Sequence, residues 1–130
     1  MDFQGEATAL ISRLLYDQDH NEGRNAAEFF TPDGTYHPAG HDPINGIDAI
    51  ERYFRLRGVR LARHIVSNVV VLSQNLDAAE VASIMTVHMA GETGAFPANV
   101  VAILDVHDSL RRCDGQWRFS HRRMQLAPLR

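Results

Sequence analysis

Residues 63-RHIVSNVVVL-72 decide the fold. Before them, apolar residues recur every three or four places. From here on β-branched and aromatic residues crowd into runs, the mark of strands. Three more runs follow, 80-EVASIMTVHMA-90, 98-ANVVAILDVHDSLR-111 and 116-QWRFSHRRMQL-126. The turn-like 111-RRCDGQW-117 and the loop 90-AGETGAFPA-98 separate them. The spacing predicts an antiparallel sheet.

Upstream the reading is helical. Ala7, Leu10, Ile11, Leu14 and Leu15 mark one face of a helix over 5–20, interrupted by Asn21 and Gly23. A short second helix is predicted over about 23–30, ended by Pro32 and the turn residues 31-TPDG-34. A short strand, 34-GTYHPA-39, leads through the polar loop 40-GHDPING-46 to a third helix. Ile47, Ile50, Tyr53, Phe54 and Leu56 define its apolar face, and Gly58 closes it. Helices first and long strands after predict an α+β fold with three N-terminal helices packed on one face of the sheet.

A length of 130 residues allows one domain, 1–130, with a single core. Hydrophobic content of 45% and charged content of 22% are ordinary for a globular chain. A net charge of −3 gives no reason to expect a nucleic-acid partner. The one cysteine, Cys113, has no internal disulfide partner and sits in a turn. No apolar run nears the roughly 20 residues of a membrane span, and MDFQGEATA lacks a signal peptide's regions. The expectation is a cytoplasmic protein with no membrane partner.

The acidic segment 16-YDQDHNEGRNAAEFF-30 imitates a calcium loop. Counted from Asp17, side-chain oxygens fall at positions 1, 3, 5, 9 and 12, the ligand spacing of a twelve-residue EF-hand loop. The glycine that the sharp turn needs at position 6 is Glu22, however, and Gly23 comes one place late. Position 8 is Arg24, a cation at a would-be cation site. These carboxylates have other work. His37, His41 and Asp42 make no better metal site, because Pro38 and Gly40 prevent a helix from presenting both histidines. Neither a G-x-S-x-G elbow nor a phosphate or dinucleotide loop is present.

The order of these phrases resembles the SnoaL-like branch of the nuclear transport factor 2-like superfamily. The resemblance rests on 29-FFTPDGTY-36, 46-GIDAI-50, 63-RHIVSN-68 and 114-DGQWRFSHRR-123, and spans about Leu10 to Leu126. It implies a cone in which a strongly curved sheet wraps a pocket closed by helices. Its members include scytalone dehydratase, polyketide cyclases, ketosteroid isomerases, bile-acid dehydratases and a dehydrochlorinase. Small subunits of ring-hydroxylating dioxygenases share the fold without holding the active centre, so fold alone does not name the chemistry.

In the dehydratase-like members an Asp late in the first helical region pairs with a His opening the first long strand. The resemblance puts that His at His64. Counting back without a gap from 29-FFTPD-33 puts the Asp at Asp19, whereas the helical wheel leaves Asp17 and Asp19 equivalent, flanking the apolar arc on opposite sides. A carboxylate on imidazole Nδ1–H fixes the tautomer and supports the imidazolium formed when Nε2 takes a proton.

Further pocket candidates are Val66 and Asn68, which alternation sends to one face, and Tyr36, a phenol able to meet a developing oxyanion. His88 sits in an apolar strand, and Phe54 and Met85 are expected as core or pocket wall. Leu104 and Val106 stand where scytalone dehydratase has polar pocket positions. Asp105 and His107 then point to the outer sheet face, where members of this family often form homodimers.

These readings lead to a cofactor-free lyase or isomerase, dehydratase- or cyclase-like, acting on a small cyclic or polyketide-like molecule. Two others stay open: a non-catalytic ligand-binding module, and an accessory subunit of a ring-hydroxylating oxygenase.

Overall fold

The computed structural model describes residues 2–58, 61–89 and 99–127. Helix α1 spans Phe3–His20, and the Asp2 carboxylate caps it by accepting the Gly5 N–H at 2.8 Å. Its buried stripe is Ala7, Leu10, Ile11, Leu14 and Leu15, the face read from the sequence. A single 3-10 turn, Ala26–Phe29, follows, then β1 (Phe30–His37), β2 (Ile44–Asn45) and α2 (Ile47–Arg57). Four strands complete the chain: β3 (Ala62–Gln74), β4 (Ala78–Met89), β5 (Asn99–Cys113) and β6 (Gln116–Leu126). The loop expected over 90–98 lies outside the described residues.

Two expectations need correction. The second helix of the sequence reading is only the four-residue 3-10 turn. Gly23, at φ +74°, breaks the chain on one side, and Phe30 is already extended on the other. The sheet is also not wholly antiparallel. Its order is β2-β1-β6-β5-β4-β3, and β1 runs parallel to β6, with Tyr36 opposite Arg122. Hairpins join β3 to β4 and β5 to β6, so only the return from the helical half brings in a parallel pair.

Long strands bend here for identifiable reasons. β3 carries register shifts between Ser67 and Val70 and between Val71 and Ser73, and bulges of this kind increase local twist and bend. Asn68 sits inside the first shift at φ +53°. The β5–β6 hairpin turns on Asp114 and Gly115, both with positive φ, the pair a type I′ turn demands. One sheet face is buried under α1, α2 and the 3-10 turn. Its core includes Phe30, Tyr36, Phe54, Val81, Met85, Leu104, Val106, Leu110, Phe119 and Met124.

Candidate active site

Asp19 lies in the last turn of α1, and His64 lies near the start of β3, where the helix packs on that strand. His64 Nδ1 is 2.6 Å from Asp19 Oδ1, and the His64 backbone N–H donates to Asp19 Oδ2 at 2.9 Å. The carboxylate therefore holds both the ring and the strand that bears it. The two side chains are 8% and 7% exposed. Because the carboxylate accepts, Nδ1 carries the proton and Nε2 keeps its lone pair. Burial lowers the His64 pKa below the usual 6.5, against the hydrogen bond and charge of Asp19, which raise it. Arg57 and Arg122 add to the lowering. A neutral imidazole with its tautomer fixed is a general base at neutral pH.

Asp17, the other carboxylate of the acidic segment, is buried and has a different duty. Its Oδ2 accepts the Asn25 N–H at 3.0 Å, and its Oδ1 accepts the Asn25 and Asn21 amides at 2.9 and 3.2 Å. The calcium-like spacing of Asp17, Asn21 and Asn25 is thus a hydrogen-bonded turn. Glu22 pairs with Arg24 at 3.0 Å instead of converging with them.

Tyr36, on β1, is buried with its ring 5.2 Å from Phe54 and 5.8 Å from Tyr53. Burial raises its pKa; Arg122, Arg57 and the Gln18 amide pull the other way. Val66 shares the His64 side of β3, and its cross-strand partner is Met85. Asp19, His64 and Val66 line an open cavity with Ser12, Leu15, Tyr16, His20 and Ile65, whereas Met85, Tyr36 and Phe54 are packed in the buried core.

Asn68 and His88 do not join them. The register shift after Ser67 breaks the alternation that put Asn68 beside Val66. It lines an outer groove with Ala82, Ile84, Asp105, His107 and Arg123. His88 follows Val87, the partner of His64, and so points to the opposite face, where its Nε2 meets Thr86 Oγ1 at 3.0 Å. Asp105 and His107 do lie on that outer side.

The sequence reading missed a buried ion pair. Arg122 Nη1 donates to Asp108 Oδ2 at 2.6 Å, with both residues essentially sealed from solvent, and the guanidinium reaches Met85 Sδ at 3.9 Å. Burial pushes the Asp108 carboxyl up, and Arg122 pulls it down. A signal existed: Asp108 keeps the inward period of Leu104 and Val106, and Arg122 that of Met124. Asp108 Oδ1, Ser83 Oγ and Gln18 Nε2 are buried without hydrogen-bond partners.

Solved structures share this architecture. A protein of unknown function from Mycobacterium tuberculosis is 27% identical with a TM-score of 0.82, covering 95% of this chain and 71% of its own. A protein from Catenulispora acidiphila in complex with S-DNPA is 25% identical, with a TM-score of 0.81 and coverages of 95% and 92%. An NTF2-like protein with a cystatin-like fold from Novosphingobium aromaticivorans is 20% identical, with a TM-score of 0.81 and coverages of 95% and 80%. No curated protein matches. The family model of the SnoaL-like domain matches residues 4–123, and the chain therefore belongs to the SnoaL-like family.

Proposed function

We propose that the protein is a lyase or isomerase in which His64 removes a proton beside a carbonyl or a leaving group. The 2.6 Å contact between His64 Nδ1 and Asp19 Oδ1 carries this reading. SnoaL-like domains include polyketide cyclases and dehydratases, reactions that share such a proton removal. Asp19 orients the ring and supports the imidazolium once Nε2 is protonated. Val66 and Leu15 give the apolar wall of the cavity for a small cyclic or polyketide-like body. No cofactor is invoked in this step.

The test is exchange of the α-protons of 1-tetralone for deuterium, followed by proton NMR. The intact protein is expected to accelerate exchange, and His64→Ala to lower the rate by about 10²- to 10⁴-fold, the usual worth of general base catalysis. Equal rates with and without the imidazole, in a variant of unchanged fold, would sink the base assignment. They would leave a ligand-binding module.

A further inference from the structure

A second cavity, of about 650 Å³, lies between the N-terminal half of α1, the 3-10 turn and the β5–β6 hairpin. The cavity that holds Asp19 and His64 has about 300 Å³. The two share no lining residue. Helix α1 turns one face, with Glu6, Leu10 and Arg13, to the larger cavity, and another, with Ser12, Leu15 and Asp19, to the smaller.

The larger cavity joins aromatic surface to unbalanced cations. Leu10 is buried in its wall, and Phe29 and Trp117 are half-buried there, the Trp117 ring lying 4.8 Å from that of Phe3. Three arginines from three elements share the same cavity: Arg13 of α1, Arg112 of β5 and Arg118 of β6. Arg112 stands opposite Trp117 in the β5–β6 register. Arg118 is held in place, donating to the Glu28 carbonyl and, at 3.2 Å, to the Gln116 side chain. Among the described residues none of the three forms an ion pair, although Glu6 and Glu28 line the same cavity. By contrast Arg111, the neighbour of Arg112, pairs with Asp33 at 2.6 Å.

One exposed arginine needs nothing but water. Three on one aromatic-lined cavity make a recognition surface, because guanidinium forks bind oxyanions through paired N–H donors and the rings beside them stack on a planar ligand. A phosphate offers enough terminal oxygens for forks from more than one element, whereas a carboxylate is filled by one. Three cations against two carboxylates leave a surplus of one positive charge.

We propose that this cavity is a second ligand site, taking a phosphate monoester carried on a planar aromatic ring. The phosphate lies on Arg13 and Arg112, and the ring lies on Trp117. The site is independent of the lyase or isomerase reading.

Trp117 is the only tryptophan of the chain, so labelling with 5-fluorotryptophan puts a single fluorine reporter on the cavity. Fluorine NMR titration of the full chain with 2-naphthyl phosphate, 2-naphthol and inorganic phosphate tests the proposal. The ester is expected to shift the signal saturably and to bind about tenfold tighter than naphthol or phosphate alone, the scale of one charge-assisted contact. Arg13→Gln with Arg112→Gln should remove that advantage; both side chains are exposed, so the melting temperature should stay the same. Arg55→Gln, which breaks only the pair with Glu51, should retain it. Glu6→Gln should tighten binding, since it removes a charge that opposes the anion. His64→Ala should bind the ester as the unaltered chain does, whether or not proton exchange is catalysed. No saturable shift, equal affinity for ester and naphthol, an advantage that survives the double substitution, or loss of binding in His64→Ala overturns the proposal.

Discussion

Asp19 and His64 are 45 residues apart, and nothing in composition or periodicity joins them. Only the order of phrases shared with the SnoaL-like family selected them, and the helical wheel left Asp17 equally eligible. The choice between the carboxylates depends on where α1 stops: Asp17 turns back to Asn21 and Asn25, and Asp19 reaches β3. Arg122 was missed as an interior cation although it keeps the inward period of Met124, since a sequence shows a charge without showing what balances it.

At this scale the pH dependence follows directly. Burial, the largest influence, lowers the His64 pKa. The base form is therefore complete above about 6.5, the ordinary imidazole value, and is lost as pH falls through the lowered folded value. Proton exchange catalysed by the protein should show one acid limb below pH 6.5, read from a rate profile. The histidine's contribution to stability disappears over the same window and in the same direction, because the unfolded chain binds the proton first. A limb centred above 6.5 would contradict this electrostatic account.

Among the elements, the two helices were legible from their three-and-four spacing and the four long strands from their runs of β-branched and aromatic residues. The short pieces were not. The 3-10 turn reads as a helix because Ala26, Ala27, Phe29 and Phe30 hold helical spacing, although Gly23 and Phe30 leave room for only one turn. Asn68 was misplaced by the same kind of local event, a bulge that alternation cannot foresee. Gly23 itself is fixed by contact as well as by φ: a Cβ there would lie 2.5 Å from Phe54 Cδ1 and 2.7 Å from Cγ. Gly23→Ala is expected to destabilise the protein by about 1–3 kcal/mol, the cost of overpacking added to a left-handed backbone. Urea unfolding would measure it, and a change within 0.5 kcal/mol, about the size of a neutral surface substitution, would mean that Phe54 moves aside freely.

Across the whole molecule, the α+β order was legible from the shift in period, and the parallel β1–β6 pairing was not. Chain order alone does not reveal which edge a returning strand joins. The Asp108–Arg122 pair also belongs to this scale, since it spans the centre of the sheet on adjacent strands. Arg122→Met alone should cost about 3–5 kcal/mol, because it leaves a carboxylate buried without its cation, whereas Asp108→Leu with Arg122→Met should be nearly neutral. Chemical denaturation of the two variants decides between a stabilising pair and a merely tolerated one. On the outer sheet face, Ile65 and Ile103 flank Thr86 and are about half exposed, and Val70 lies nearby on β3. We propose that this face joins two copies of the chain. Light scattering should give a dimer mass for the protein and a monomer mass for Ile103→Asp; a monomer mass for the unaltered chain would exclude the arrangement.

The parallel strand sets the timetable of folding. Among the described residues β1 bonds only to the two-residue β2 and to β6, which ends at Leu126. The segment that carries β1 can collapse onto α1 and α2, but its strand has no lasting partner until β6, far along the chain, has been synthesised. Closing such a long-range contact is slow. During translation the incomplete sheet therefore keeps an open β5 edge until β6 arrives to cover it. The C-terminal hairpin, with its Asp114-Gly115 turn, is the step that seals the molecule.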